Sequence, residues 1–144
     1  MINIAVLGYG TIGSGVVEVL NTNGESIKKR AGDLINIKYV LDLREFPGDP
    51  IMEKLVHDVN IIIEDPDVKI VVEVMGGVEP AFTFVKQAML KGKSVITSNK
   101  ELVAKHGGQP EKYSQALRTE ILTFAILVIQ MRLKAHFFVR SRSF

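Results

Sequence analysis

The chain has 144 residues, 47% of them apolar and 24% charged, with 12 Gly, 5 Pro and no cysteine. That length and balance give one globular domain with a core of ordinary size and exclude the disordered and fibrous classes, while the missing cysteines exclude a disulfide framework, a thiolate metal site and a thiol nucleophile. The formal charge of +2 hides an asymmetry, since residues 1–107 hold 12 basic and 14 acidic side chains and residues 108–144 hold six and two. The body carries no basic stripe interleaved with aromatics, so no nucleic-acid partner is expected.

Ile2 to Leu7 is a short apolar run ended by Gly8, the pattern of a buried strand. Ile12, Val16, Val19 and Leu20 then fall on one face of a helix, with Thr11 as its expected cap. Asn21 to Asn36 is polar and mixed, and reads as irregular helix. Ile37 to Leu41 predicts a second strand, and Phe46 to Pro50 is loop, since two prolines and a glycine leave no room for a regular element. Residues Ile51 to Glu64 fit a short helix or an edge strand with a helical turn. After the turn Asp65-Pro66-Asp67, Lys69 to Met75 predicts a third strand that stops at Gly76-Gly77. A helix is expected from Pro80, placed where its missing N–H does no harm, with Phe82, Val85 and Met89 on one side and Gly92 just past its end. Ser94 to Thr97 is a fourth strand, followed by a short helix to His106. This alternation predicts an α/β fold, a Rossmann-type doubly wound parallel sheet with right-handed crossovers.

Beyond residue 107 the rhythm breaks. Residues 1–107 are therefore expected to form the Rossmann core, and 108–144 a divergent tail with a helix starting at Pro110. The longest apolar stretch, Ile121 to Ile129, is interrupted by Thr123 and is about half of the ~20 residues a membrane span needs. The N-terminus lacks the basic region of a signal peptide, so a cytoplasmic, non-membrane protein is expected.

The motif GYGTIG, Gly8 to Gly13, lies between the first strand and the first helix. Gly8 permits the tight turn, Gly10 lets backbone approach a pyrophosphate, and Gly13 allows close packing of helix on strand, with Thr11 and Ile12 completing the turn. The helix dipole and free N–H groups face the phosphates, so the expected ligand is NAD or NADP. Asp42 ends the second strand, where a carboxylate would accept the ribose hydroxyls of NAD, and Arg44 stands where a guanidinium would pair with the 2′-phosphate of NADP. The two pull in opposite directions and leave the cofactor open. Met75, Gly76 and Gly77 end the third strand on the same rim, where bare backbone admits a flat nicotinamide or its ribose. Thr97-Ser98-Asn99-Lys100 ends the fourth strand there, and a lysine beside a cationic nicotinamide is suited to moving the alcohol proton. Glu73 faces either the core or the site. His57, His106 and His136 show no ligand spacing, and no metal is expected.

Two segments, GYGTIGSGVV at Gly8 to Val17 and IVVEVMGGVEPAFTFVKQAMLKGKSVITSNKELVAKHG at Ile70 to Gly107, closely resemble homoserine dehydrogenase, and the resemblance spans about residues 2–107. It implies NAD(P)-dependent hydride transfer between homoserine and aspartate 4-semialdehyde, in threonine and methionine biosynthesis. By the same resemblance Lys100 matches the family's catalytic lysine, and Thr97, Ser98 and Asn99 contact the nicotinamide half of the cofactor. Ser98 stands where alanine is more usual. The family's substrate domain and dimer interface follow this region and are expected to be absent here, and GQPEKYSQALRTEILTFAILVIQM departs from the expected continuation, either through a reading-frame shift near Gly108 or as a natural tail that closes the domain by another helix and strand. The implied partners are NAD(P) and a small amino-acid substrate, with self-association expected of an incomplete domain that exposes apolar surface and a sheet edge. The chain alone is expected to be inactive. The alternatives are a non-catalytic NAD(P)-binding module or another small Rossmann dehydrogenase acting on an aldehyde or alcohol.

Overall fold

In a computed structural model of the chain, residues 1–106 are described, and they form a five-stranded parallel sheet flanked by helices on both faces. In chain order the elements are β1 (Ile2–Leu7), α1 (Thr11–Thr22), α2 (Gly24–Ala31), β2 (Ile35–Leu41), a 3₁₀ turn (Pro50–Lys54), β3 (Leu55–Val56), α3 (Val59–Ile63), β4 (Val68–Glu73), α4 (Ala81–Leu90), β5 (Ser94–Thr97) and α5 (Lys100–His106). The strand order is β3-β2-β1-β4-β5, so the chain reverses its direction of sheet growth between β1 and β4. Ligands of open parallel sheets bind in the crevice at such a reversal, beyond the C-terminal strand ends. The doubly wound architecture is the one expected. The helix expected from Pro110 lies outside the described residues.

The apolar runs of β1 and β4 are explained by burial on both faces. Ala5, Leu7 and Val71 pack with Val59, Ile62, Val85, Ala88 and Leu102 from α3, α4 and α5. Ile4, Val6, Val40 and Val72 turn the other way, onto Val17 of α1 and Ile51 of the 3₁₀ turn. Each fully buried valine or isoleucine contributes ~2 kcal/mol, which makes the central strands the least expendable part of the fold.

Three local expectations are corrected. Helix α1 buries Gly13 and Val17, with Val16 and Leu20 partly covered, while Ile12 and Val19 are 55% and 43% exposed. The apolar periodicity placed the buried face one residue off, because the close approach of Gly13 to the sheet fixes the helix's rotation. Thr11 is the first helical residue rather than the cap; Gly10 holds the cap position and no side chain caps it. Pro80 is likewise the cap of α4, which begins at Ala81. The ambiguous stretch after Pro50 resolves into the 3₁₀ turn, a two-residue edge strand and one short helix, with Asp49 and Asp58 capping the two helical pieces through Ile51 N–H and Asn60 N–H. A feature the sequence did not flag lies at the start of β4. There the buried ammonium of Lys93 donates to the carbonyls of Asp65 (2.6 Å) and Val68 (3.1 Å). Burial pushes its pKa down.

Candidate functional site

The register places the ends of four strands at one level. Leu7 pairs with Leu41 on one side and with Glu73 on the other, and Glu73 pairs with Thr97. The residues that leave the sheet together are therefore Asp42, Gly8, Val74 and Ser98, and every expected site residue lies within a few positions of that rim.

At the centre is the glycine turn. Gly8 has φ +100°, a conformation that L side chains avoid, and a Cβ there would stand 3.2–3.3 Å from Met75 and the Val74 carbonyl. A Cβ at Gly13 would lie 1.9 Å from the Gly8 carbonyl oxygen, so only glycine lets α1 rest on the turn. Gly10 is different. A Cβ there meets nothing within 4 Å, so the turn opens outward at this residue. With the cap position bare, the first-turn N–H groups of α1 point towards that opening, where the positive end of the helix dipole favours an anion. A backbone cradle of this kind fits a diphosphate. Thr11 and Ile12 are exposed at its edge.

On the β2 side, Asp42 and Arg44 are joined to each other. Asp42 Oδ1 accepts from the Arg44 backbone N–H and Nε, both at 3.0 Å, while Oδ2 accepts from Arg44 Nη2 (2.9 Å) and from the Tyr9 N–H (2.8 Å). These bonds hold the Asp42 carboxyl well below the usual carboxylate range, the Arg44 guanidinium being the largest cause. Arg44 itself is 62% exposed and lies over the Phe46 ring at 5.2 Å, and its Nη2 also donates to the Tyr9 carbonyl (3.3 Å). His57 is exposed, and its Nδ1 lies 2.6 Å from the Asp42 carbonyl, to which it donates. Among the described residues no cluster of His, Cys, Asp or Glu has metal-binding geometry.

On the β4–β5 side, Thr97 and Asn99 are buried, Ser98 is half-buried, and Lys100 is exposed at the start of α5. The Thr97 hydroxyl donates to Glu73 Oε2 and accepts the Asn99 N–H (3.0 Å). Asn99 donates through Nδ2 to the carbonyls of Gly77 and Met75, and its Oδ1 accepts the Leu102 N–H (3.1 Å), capping α5. Gly76 and Gly77 are exposed on the facing loop. The structure thus brings Met75, Gly76, Gly77, Thr97, Ser98, Asn99 and Lys100 to one end of the rim. The side chains of Thr97 and Asn99 are committed to protein partners, which leaves placement and backbone as what they offer a ligand. Glu73 is fully buried and also accepts the Met75 N–H (2.7 Å). Burial raises its pKa, against the lowering effect of its hydrogen bonds.

Tyr9 has a placement that the sequence did not flag. Its side chain turns away from the cradle, donates to Asp49 Oδ2 (3.0 Å) and packs edge-on against Phe46. It lines a cavity of about 500 Å³ with Ser14, Glu18, Asn21, Ile51 and Lys54. None of Asp42, Gly76, Asn99 or Lys100 lines that cavity, so it is separate from the rim cleft.

Among known families, the NAD-binding domain of homoserine dehydrogenase matches residues 8–123. The homoserine dehydrogenase of Helicobacter pylori is 40% identical over 107 residues, covering 73% of this chain and 25% of its own length. That of Bacillus subtilis is 38% identical, covering 75% and 26%. Among solved structures, a homoserine dehydrogenase from Thiobacillus denitrificans superposes with a TM-score of 0.73 at 37% identity, covering 81% of this chain and 27% of that one. The Staphylococcus aureus enzyme at pH 7.5 gives 0.67 at 40% identity, covering 74% and 28%. The chain spans about a quarter of the length of the curated relatives it matches.

Proposed function

The chain belongs to the homoserine dehydrogenase family through its NAD-binding domain, and from that premise we propose that it is the cofactor-binding portion of an enzyme that moves hydride between homoserine and aspartate 4-semialdehyde. The observation that carries the proposal is the level rim, with a bare backbone cradle at Gly8–Gly13 and two further strand ends beside it. The cradle takes the pyrophosphate. Met75, Gly76 and Gly77 face Thr97–Lys100 across the nicotinamide end, and Lys100 is the group that carries the proton of the reacting alcohol. NAD(P) supplies the hydride chemistry; this chain supplies orientation and the lysine. The place of the reaction is threonine and methionine biosynthesis in the cytoplasm.

At the adenosine end the geometry favours NADP. Both Asp42 oxygens are engaged, so ribose hydroxyls would have to displace Arg44 or Tyr9. Arg44 shares those bonds through Nε and Nη2 but remains largely exposed, so its other N–H groups are suited to a 2′-phosphate. The test is titration of NADH and NADPH into the wild-type chain and Arg44→Ala. NADPH affinity is expected to fall about tenfold in the variant, with NADH changed less than about twofold. Equal losses for the two cofactors would sink the assignment of Arg44.

A second reading is a non-catalytic NAD(P)-binding module, since the cradle and the rim bear on the cofactor alone. Both readings hold the cofactor. They part at homoserine-dependent NADP reduction, for which the 144-residue chain is expected to give no turnover, since substrate positioning supplies a large part of the rate.

A further inference from the structure

We propose that Glu73 is a positioning residue whose buried carboxyl ties the β4–α4 loop to the β5–α5 segment and so sets the nicotinamide end of the cleft. The inference rests on the reading of that end given above and extends it to a side chain that reaches no ligand itself.

Glu73 is the last residue of β4 and has no exposed surface. One carboxyl oxygen accepts the Met75 N–H (2.7 Å), which opens the loop through Gly76 and Gly77. The other accepts the hydroxyl of Thr97, the last residue of β5. Its backbone carbonyl accepts the Ser98 N–H (3.2 Å). Thr97 passes the connection on to Asn99 N–H, and Asn99 bridges back to the Gly77 carbonyl while capping α5, whose first residue is Lys100. One carboxyl therefore stands at the root of a closed ring, Glu73–Thr97–Asn99–Gly77–Met75, that contains both walls of the cleft.

Burying a carboxyl is costly, and a strand end next to Val71 and Val72 would be filled more cheaply by an apolar residue. What an apolar residue cannot do is accept from an amide and a hydroxyl on two different segments at once. Glutamine at this position keeps an acceptor for the Met75 N–H, but its NH₂ group can only donate to Thr97 Oγ1, and the Thr97 hydroxyl proton then loses its acceptor. The Thr97 link is then reversed and a buried hydroxyl proton is left without its acceptor, while volume is conserved. Alanine removes both links and leaves the Met75 N–H orphaned.

The experiment compares binding of the better-bound reduced cofactor, NADH or NADPH, with its counterpart lacking nicotinamide, ADP-ribose or 2′-phospho-ADP-ribose, in the full chain. Glu73→Gln is expected to weaken the dinucleotide about threefold to tenfold and reduce the nicotinamide fluorescence of the bound form, with the nucleotide fragment held within about twofold. Glu73→Ala is expected to exaggerate the same difference; if it fails to fold, Glu73→Gln decides alone. Parallel loss of both ligands, or no loss of either, overturns the positioning role and leaves the cofactor assignment standing. A wild-type chain that binds neither ligand overturns the cofactor assignment, and this inference with it.

Discussion

On the β1–β2 side of the rim, the surface offered to a ligand is backbone: a turn of glycines, an uncapped helix start, and one ion pair at its edge. On the β4–β5 side, the equivalent surface is held by side chains, with a buried carboxyl, a hydroxyl and an amide linking segments 22 to 24 residues apart. The two carboxylates that belong to these halves are driven in opposite directions. Asp42 is held low by the Arg44 guanidinium, whereas burial pushes Glu73 up. A backbone-made half tolerates no extra atoms at its contact points but needs few partners. A side-chain-made half tolerates changes of shape better than loss of a link.

That contrast can be attacked residue by residue, in order of expected damage to stability. Gly13→Ala places a methyl 1.9 Å from the Gly8 carbonyl oxygen. It should cost about 3 kcal/mol in urea unfolding and abolish cofactor binding, because α1 has to leave the sheet. A loss below about 1 kcal/mol would mean the helix can shift freely, and the backbone half would not be rigid. Asp42→Asn should cost about 1 kcal/mol at pH 7. Because the folded pKa of Asp42 is depressed, that contribution is present above its unfolded value and is lost as pH falls through the folded one. The gap between wild type and variant should therefore persist from pH 7 to about 5, begin to narrow near the unfolded carboxylate value of about 4, and close only as pH falls through the depressed folded value. A gap independent of pH would remove the ion pair from the account. Gly10→Ala comes last for stability, within about 0.5 kcal/mol, since its φ of −84° suits alanine and its methyl meets no neighbour. Its effect belongs to binding: the methyl enters the diphosphate's path, and affinity should drop about tenfold. Unchanged affinity would show that the cradle is not where the phosphates lie.

The same division explains what could be read before the fold was known. Gly8, Gly10 and Gly13 carry their spacing on one short segment, and so does the strand-turn-helix context around them. Met75–Gly77 and Thr97–Lys100 were legible for a similar reason, as strand ends followed by residues that stop strands. Tyr9 and Lys93 were not, because their roles depend on Asp49 and on the Asp65 and Val68 carbonyls, which no local pattern links to them. The face of α1 was misplaced by one residue because apolar periodicity ranks Ile12 above glycine, and cannot register that the tightest contact is made by the smallest residue.

The sequence alone determined the parallel alternation of strands and helices and the position of the cradle. Both follow from properties of neighbouring residues: apolar periodicity, turn chemistry, and the absence of a side chain where backbone must come close. Only the tertiary structure decided that Asp42 is spent on Arg44 and Tyr9, that Glu73 faces Met75 and Thr97 rather than the core at large, and that Ile12 faces out. Those outcomes are set by which polar groups meet when strands distant in sequence end side by side, and a buried charge takes whichever donors that meeting supplies.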